Sequence, residues 1–309
     1  MVICKNLNTI AQIDTSVLTI GTFDGMHLGH MEVINAVKIL AETKNIPSVV
    51  ITFNPHPKSV INIDDKDSWN IITSVEKKLE LLEENGIGYV WLVPFDKDFG
   101  KITASDFMDN YIIKYFNPED IIVGYDHHFG NKREGNAKFL QHDSGRNDYI
   151  LHIINPLQTD SISVSSTCIR ECLMQCDIER ANKLLGWDYE LSGKVVKGSG
   201  IGNKINFPTA NINPDDKNQL IPGRGAYCVE VLVKNKLYQG MCNIGIRPTL
   251  YDNGENVIEV HLITEDTLTL LNEKIRIAFK SFIRKEKKYE NTIELAKQLE
   301  LDRQLCISI

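Results

Sequence analysis

Short apolar runs alternate with helix-period stretches through the first half of this chain. Leu18-Ile20, Ser48-Phe53, Tyr89-Val93 and Ile121-Val123, with another run near Ile150-Ile154, read as buried strands. Between them Met31-Lys44, Val75-Asn85 and Ala104-Tyr115 read as helices, and Asn85-Gly86 supplies a stop for the second. This alternation predicts an α/β fold, a parallel sheet with helices on both faces. Such sheets bind ligands beyond the carboxyl ends of their strands. His27, His30, Asn54, His56 and Asp126 each follow a predicted strand closely, so one cleft can hold them.

The pattern changes after Ala181-Asn182-Lys183-Leu184-Leu185-Gly186-Trp187. From Tyr189 onward, short strands are separated by glycine and proline turns: Leu191-Val196, Ala226-Val233, Tyr238-Ile244, Val257-Ile263 and Lys274-Phe279. Their hairpin-like spacing predicts a compact antiparallel β-barrel. Thr292-Leu301 reads as one closing helix. The boundary falls near 186–189, which gives expected domains of 1–187 and 188–309.

Composition sets limits on partners. The 309 residues are 42% hydrophobic and 24% charged, a globular balance. A net charge of -7 gives a nucleic-acid partner no bulk electrostatic help, so none is expected. No apolar run reaches the length of a membrane span, and Met1-Val2-Ile3-Cys4-Lys5-Asn6 lacks a signal-peptide pattern. No protein partner is evident. Seven cysteines, an odd number, argue against a disulfide framework, and a reducing cytoplasm is the expected setting. Cys168, Cys172 and Cys176 are spaced to stripe one helix face and read as small packing positions.

The densest chemistry lies in Gly21-Thr22-Phe23-Asp24-Gly25-Met26-His27-Leu28-Gly29-His30, where a strand ends in a glycine-rich turn and a helix begins. Glycine lets backbone approach a ligand, and a helix N-terminus favours an anion. His27 and His30 share a helix face and can donate to phosphate oxygens. The spacing is neither a dinucleotide fingerprint nor a P-loop. The stretch resembles the HxGH nucleotidyltransferase signature, in which a nucleotidyl group moves onto a phosphate acceptor. Asn54-Pro55-His56-Pro57 is either a rigid turn or a wall of the same cleft. Asp126-His127-His128 reads as a ligand-binding loop in preference to a metal site. Ser165, Ser166 and Thr167 lead into a helix bearing Arg170, as an N-cap or as a second anion site.

In the second half, Gly198, Gly200 and Gly202 form a glycine loop, followed by Lys204, that can cover phosphates. Thr209 and Asn211 are two apart and, if extended, face one side; their hard oxygens suit Mg²⁺. Taken alone, Thr-x-Asn is a weak signal and reads first as an ordinary polar strand edge. Glu259 and His261 share the face opposite Ile258, Val260 and Leu262. Glu259 alone is a solvated carboxylate; beside a phosphate and Mg²⁺ site it becomes a candidate base.

Together these segments resemble the prokaryotic bifunctional riboflavin kinase/FMN adenylyltransferase (FAD synthetase) family over nearly the whole chain. Gly21-Thr22-Phe23-Asp24-Gly25 with His27 and His30, Thr52-Phe53 with Pro55-His56-Pro57, and Ser165-Ser166-Thr167 with Arg170 match its adenylyltransferase half. Pro208-Thr209-Ala210-Asn211, Asn243-Ile244-Gly245 with Arg247-Pro248-Thr249, Glu259-Val260-His261-Leu262 and the basic run Arg284-Lys285-Glu286-Lys287-Lys288 match its kinase half. The resemblance implies a Rossmann-like N-terminal domain and a riboflavin-kinase-like barrel. It implies ATP as co-substrate, Mg²⁺ at Thr209 and Asn211, and riboflavin, FMN and FAD as substrates or products. Glu259, His27 and His30 are then catalytic, and flavin contacts fall to Asn54, His56, Asp126 and Arg247. Two departures stand out. The usual Asp-Phe-x-Phe-Gly loop is Asp126-His127-His128-Phe129-Gly130, with His128 where arginine is common, and Leu-Tyr-Gly-Lys is Leu270-Leu271-Asn272-Glu273. A nucleotidyltransferase for another phosphate acceptor leaves the second half unexplained. A flavin-binding regulator with degenerate sites is disfavoured by the intact motif residues.

Overall fold

The computed structural model describes residues 1–7, 13–61, 70–159, 162–198, 207–246, 256–266, 268–287 and 289–308. The chain divides into two compact units, Met1–Ser166 and Thr167–Ile309.

The main sheet of the first unit has six strands: β1 (Val2–Cys4), β2 (Ser16–Ile20), β3 (Ser48–Asn54), β4 (Tyr89–Pro94), β5 (Pro118–Gly124) and β6 (Ile150–Ile154). They pair in the order β1-β4-β3-β2-β5-β6, all parallel. β2 is central and fully buried, as its unbroken apolar reading predicts. The chain runs from β2 to β3 on one side and later to β5 on the other. The loops after β2, β3 and β5 therefore crowd one edge at a topological switch point. Helices α1 (Leu28–Lys44) and α2 (Val75–Glu84) match the predicted spans closely. The third predicted helix is not uniform. Ala104–Phe107 is α-helical, Met108–Ile113 widens into a π-helix, and Lys114–Phe116 returns to α. Phe107 and Tyr111 from this segment stack on buried Trp91 of β4, joined by Phe116, so aromatic packing occupies the widened turn.

The apolar pattern misses β1 and the helix before β6. β1 is short and half exposed. Helix α3 (Ala137–Asn147) buries only Leu140 and Asp143, and Asn136 caps it by accepting from the Lys138 and Phe139 amides. Its polar sequence gives almost no helical stripe to read.

In the second unit, α4 (Ser166–Met174) and α5 (Ile178–Leu185) precede a closed barrel. The barrel strands are β7 (Glu190–Val196), β8 (Ala210–Pro214), β9 (Gly225–Val233), β10 (Lys236–Ile246), β11 (Asn256–Leu262) and β12 (Lys274–Arg284). Their order is β7-β8-β11-β10-β9-β12, and β12 pairs with β7 to close the ring. Every pair is antiparallel. Helix α6 (Thr292–Ile307) closes the chain. Arg284 of β12 grips the buried Asp302 carboxylate of α6 with Nε at 3.0 Å and Nη2 at 2.7 Å.

The cysteine reading needs two corrections. Cys228 of β9 and Cys306 of α6 form a disulfide, with Cα atoms 5.1 Å apart. An odd count excludes complete pairing but not one bridge between residues that folding brings together. Cys4, Cys168, Cys172, Cys176 and Cys242 are thiols. Cys176 does not share the helix face of Cys168 and Cys172, because α4 ends at Met174 and Cys176 takes a left-handed φ of 65°.

The family of strands seen after Tyr189 does not stand alone. Helix α5 buries Ile178, Ala181, Leu184 and Leu185. Its Asn182 side chain donates to the Phe279 carbonyl of β12 at 2.8 Å and accepts from the Tyr189 amide at 2.8 Å. A fragment from Thr167 to Ile309 is expected to be more stable than one from Asp188 to Ile309 by about 3–5 kcal/mol. Urea unfolding of the two fragments measures this. Equal midpoints would place the helix pair outside the barrel's folding unit.

Candidate functional sites

At the switch point, the turn after β2 is unusually contorted. Phe23, Gly25 and Met26 all have positive φ, at 47°, 94° and 39°. Non-glycine residues rarely adopt this region, and such strain concentrates at functional sites. Two glycines make room for the fold-back. A Cβ on Gly21 would stand 2.8 Å from the Phe23 ring, and one on Gly29 would stand 3.2 Å from His27 Nδ1. Asp24 is buried, and its Oδ1 accepts from the Ile72 amide at 2.8 Å and the Thr73 amide at 3.2 Å. The Asp24 carbonyl accepts from Ser166 Oγ at 2.7 Å. Asp24 thus holds the turn in shape, while Ser166 ties in the hydroxyl cluster.

His27 is the N-cap of α1 and not a member of its first turn. Its Nδ1 accepts from the His30 amide at 3.2 Å. A ring that accepts at Nδ1 carries its proton on Nε2. The His27 and His30 rings stack with centroids 3.6 Å apart. Burial, then the neighbouring His27 and the Lys78 charge, hold His30 well below the usual histidine range. Its Nδ1 is buried with no hydrogen-bond partner among the described residues. The pair therefore presents neutral imidazole at neutral pH beside a helix N-terminus whose Leu28 and Gly29 amides have no intrahelical acceptor.

The other crest loops are placed as follows. Asn54 ends β3 exposed and joins Pro55 by a cis peptide. His56 accepts from the Lys58 amide through Nδ1 at 3.2 Å and starts the one-turn helix Pro57–Ile61. Asp126 is exposed after β5. His127 turns inward to stack on Phe129, whereas His128 turns outward with Nδ1 3.3 Å from Arg133 Nη2. The two rings diverge, and a guanidinium reaches His128 from Arg133. Thr167 and Arg170 lie on α4. The sequence reading missed Lys78, a cation buried under the turn. A lysine on a helix ordinarily reads as solvated, and its only signal is its place on the apolar face with Leu81 and Leu82.

In the barrel, Asn211, Glu259 and Asn243 occupy one row across β8, β11 and β10. Register partners project to the same face, so two amides flank the carboxylate. Asn211 is buried, and Gly198 backs directly onto its amide, where any Cβ would collide. His261 Nδ1 is 2.9 Å from the Pro208 carbonyl, which anchors the residue before exposed Thr209. Burial, with help from the Arg303 charge, pushes His261 below the usual range. Thr209, His261, Gly198, Leu270 and Leu271 line a cavity of about 810 Å³, together with Arg303 from α6. Arg303 is the second group that sequence reasoning missed; nothing in a closing helix marks one arginine among other polar residues. Gly200, Gly202, Lys204 and Arg247 lie outside the described residues.

His127 generates a prediction independent of any substrate. Burial pushes its pKa from 6.5 down to about 4. Between those values the unfolded chain binds the proton and the folded chain does not, so this residue's contribution to stability is lost as pH falls from about 6.5 toward 4. His127→Phe is expected to unfold with a shallower acid dependence than the wild type. Urea midpoints of the first unit between pH 7.5 and 4.5 test this, and parallel profiles would count against it.

Comparison with known proteins gives the same two-part picture. The FAD synthetase family matches residues 9–168 and the riboflavin kinase family matches residues 185–309. The bifunctional riboflavin kinase/FMN adenylyltransferase of Bacillus subtilis is 35% identical over 94% of this chain and 92% of its own length. The Escherichia coli protein of the same description is 32% identical over 98% of this chain and 96% of its own. A solved Streptococcus pneumoniae structure, described as a macrolide-efflux protein, superposes with TM-score 0.89 at 28% identity, covering 100% of this chain and 99% of that one. No helix among the described residues is long and apolar enough to cross a membrane. With both halves matched in order and full-length relatives above 30% identity, this chain belongs to the bifunctional riboflavin kinase/FMN adenylyltransferase family.

Proposed function

We propose that the barrel phosphorylates riboflavin with ATP to give FMN, and that the crest of the parallel sheet joins FMN to the adenylyl group of a second ATP, giving FAD and pyrophosphate. The chain is an enzyme of flavin cofactor biosynthesis, a transferase with kinase and nucleotidyltransferase halves. The observation that carries the assignment of residues is the row Asn211-Glu259-Asn243 in the barrel, matched by the stacked His27-His30 pair in the other unit.

In the kinase half, Glu259 takes the proton of the ribityl 5′-hydroxyl as that oxygen attacks the γ-phosphorus, whose bond to the bridging oxygen breaks to release ADP. Proton transfer to a positioned carboxylate is general-base catalysis. The Thr209 hydroxyl and the Asn211 amide oxygen are hard donors, and Gly198 keeps the amide in place, so the pair fits Mg²⁺ shared with substrate phosphates. Bound there, Mg²⁺ would neutralise phosphate charge. Arg303 adds a positive group to the same cavity.

In the adenylyltransferase half, an FMN phosphate oxygen attacks the α-phosphorus and pyrophosphate departs. No protein nucleophile is needed. His27 and His30 donate to oxygens that gain charge, with Arg170 and the hydroxyls of Ser165, Ser166 and Thr167 as further anion contacts. Asn54, His56 and Asp126 form the flavin wall. Consumption of ATP in both reactions supports a cytoplasmic setting, where Cys228 and Cys306 would stand as two thiols.

Incubation with riboflavin and ATP is expected to yield FMN first and FAD second. Glu259→Gln keeps size and hydrogen bonding but removes the base, and is expected to slow riboflavin phosphorylation about 10²–10⁴-fold. FAD synthesis from supplied FMN should be unaffected; kinase rates within a few-fold of wild type would leave Glu259 as a surface carboxylate. His30→Ala is expected to do the reverse, slowing FAD synthesis on the order of 100-fold while FMN formation stays near wild type. Equal loss in both assays would make the histidine structural.

A further inference from the structure

Lys78 is the one lysine among the described residues with buried relative exposure, at 5%. It sits on the core-facing side of α2 and reaches under the contorted turn. Its Nζ donates to the Thr22 carbonyl at 2.6 Å and to Thr52 Oγ1 at 3.3 Å, and Thr52 Oγ1 itself donates to the Thr22 carbonyl at 3.2 Å. Thr22 belongs to the turn that leads to His27, and Thr52 to the strand that leads to Asn54 and His56. One ammonium therefore joins the two crest loops. An ammonium carries three donors, and two have acceptors among the described residues.

A cation this deep is costly unless charge of opposite sign faces it. Asp24 on the turn supplies part of that charge, and Lys78 in turn acts on His30 of α1. These are the charged and titratable groups that face it from the packed elements. Asp24 is already engaged by the Ile72 and Thr73 amides. An anion above the turn would complete the balance. Without Lys78, the Asp24 carboxylate would stand uncompensated beside a polyphosphate.

We propose that Lys78 is a positioning residue of FMN adenylylation, joining the His27–His30 turn to β3 and offsetting Asp24 so that the turn accepts the phosphates of ATP. The proposal rests on the assignment of adenylyl transfer to this turn. Burial lowers the pKa of Lys78 from 10.5 to about 8, so the ammonium is lost within an accessible range. The free enzyme, with Lys78 deprotonated, binds ATP less well, whereas bound ATP favours the charged form. The alkaline loss therefore belongs in kcat/KM for ATP, which reports the free enzyme, and is weaker in kcat.

The test uses the full chain and measures FAD formation from FMN with varied ATP between pH 6.5 and 9.5. Wild type is expected to lose kcat/KM above about pH 8, with riboflavin phosphorylation as the comparison reaction that lacks this limb. Lys78→Met retains the apolar stem and leaves the Thr22 carbonyl bonded to Thr52. It is expected to lower kcat/KM at pH 7 by at least about ten-fold, mostly through KM, and to abolish the limb. A flat wild-type profile overturns the proposal without any variant. So does a Lys78→Met protein that keeps the limb, or one that loses activity equally at every pH. If His30→Ala leaves FAD synthesis intact, the site assignment itself has failed; a His30-sensitive reaction with no alkaline limb sinks Lys78 alone.

Discussion

A single buried carboxylate fixes the shape on which the proposed adenylyl-transfer site depends. Asp24 takes two amides from the segment entering α2 through its side chain, and its carbonyl takes the Ser166 hydroxyl. Those three bonds hold a turn that contains three left-handed residues, two of them not glycine. Hydrogen bonds to a charged acceptor are worth more than neutral ones, and strain of this kind persists only where surroundings over-determine it. The turn in turn decides where His27 caps α1 and where His30 stacks. The geometry of the site therefore derives from a carboxylate held by the Ile72 and Thr73 amides.

The barrel solves a parallel problem with a different device. The chemistry proposed for it lies on a row of three register partners, so the ladder itself sets the spacing of Asn211, Glu259 and Asn243. Lys197, just past the end of β7, lines the cavity, and helix α6 brings a second positive group, Arg303. Asp302 is gripped by Arg284 and by Gln298 Nε2 at 2.8 Å, so Arg303 beside it has little freedom of backbone position. Breaking a buried pair such as Asp302–Arg284 leaves an uncompensated charge, which is why the helix end is held more firmly than its exposed Ile293 and Leu301 suggest.

The parallel sheet could be read from sequence because its strands are buried on both faces and appear as apolar runs, as in Ser48-Phe53. The barrel strands could be read because one face is wet, as in Val257-Ile263. Strand β8 was seen only as a polar edge, since Asn211-Ile212-Asn213-Pro214 carries one apolar residue and depends on its neighbours for pairing. The π-helical widening at Met108–Ile113 was invisible because it answers to Trp91, a residue distant in sequence. The same holds for the Cys228–Cys306 bridge. His27 and His30 were legible as a pair from their spacing, but not as a cap and a stack. Lys78 and Arg303 were not legible, because charge on a helix is read as solvated until a structure shows what covers it.

The neutral state of His30 bears on how the proposed adenylyl site would favour its transition state. A fixed imidazolium would attract the phosphates of bound ATP nearly as strongly as the charge that develops during transfer, and uniform binding of both states does not raise kcat. A neutral ring offers an N–H dipole whose interaction grows as the oxygen beside it gains charge. Permanent positive charge is then better kept one layer back. Lys78 occupies such a position, bonded to the Thr22 carbonyl of the turn and offset by Asp24. On this view the burial that lowers His30 and the burial that encloses Lys78 have a common origin. Both follow from a turn folded tightly enough to exclude water from the end of β2.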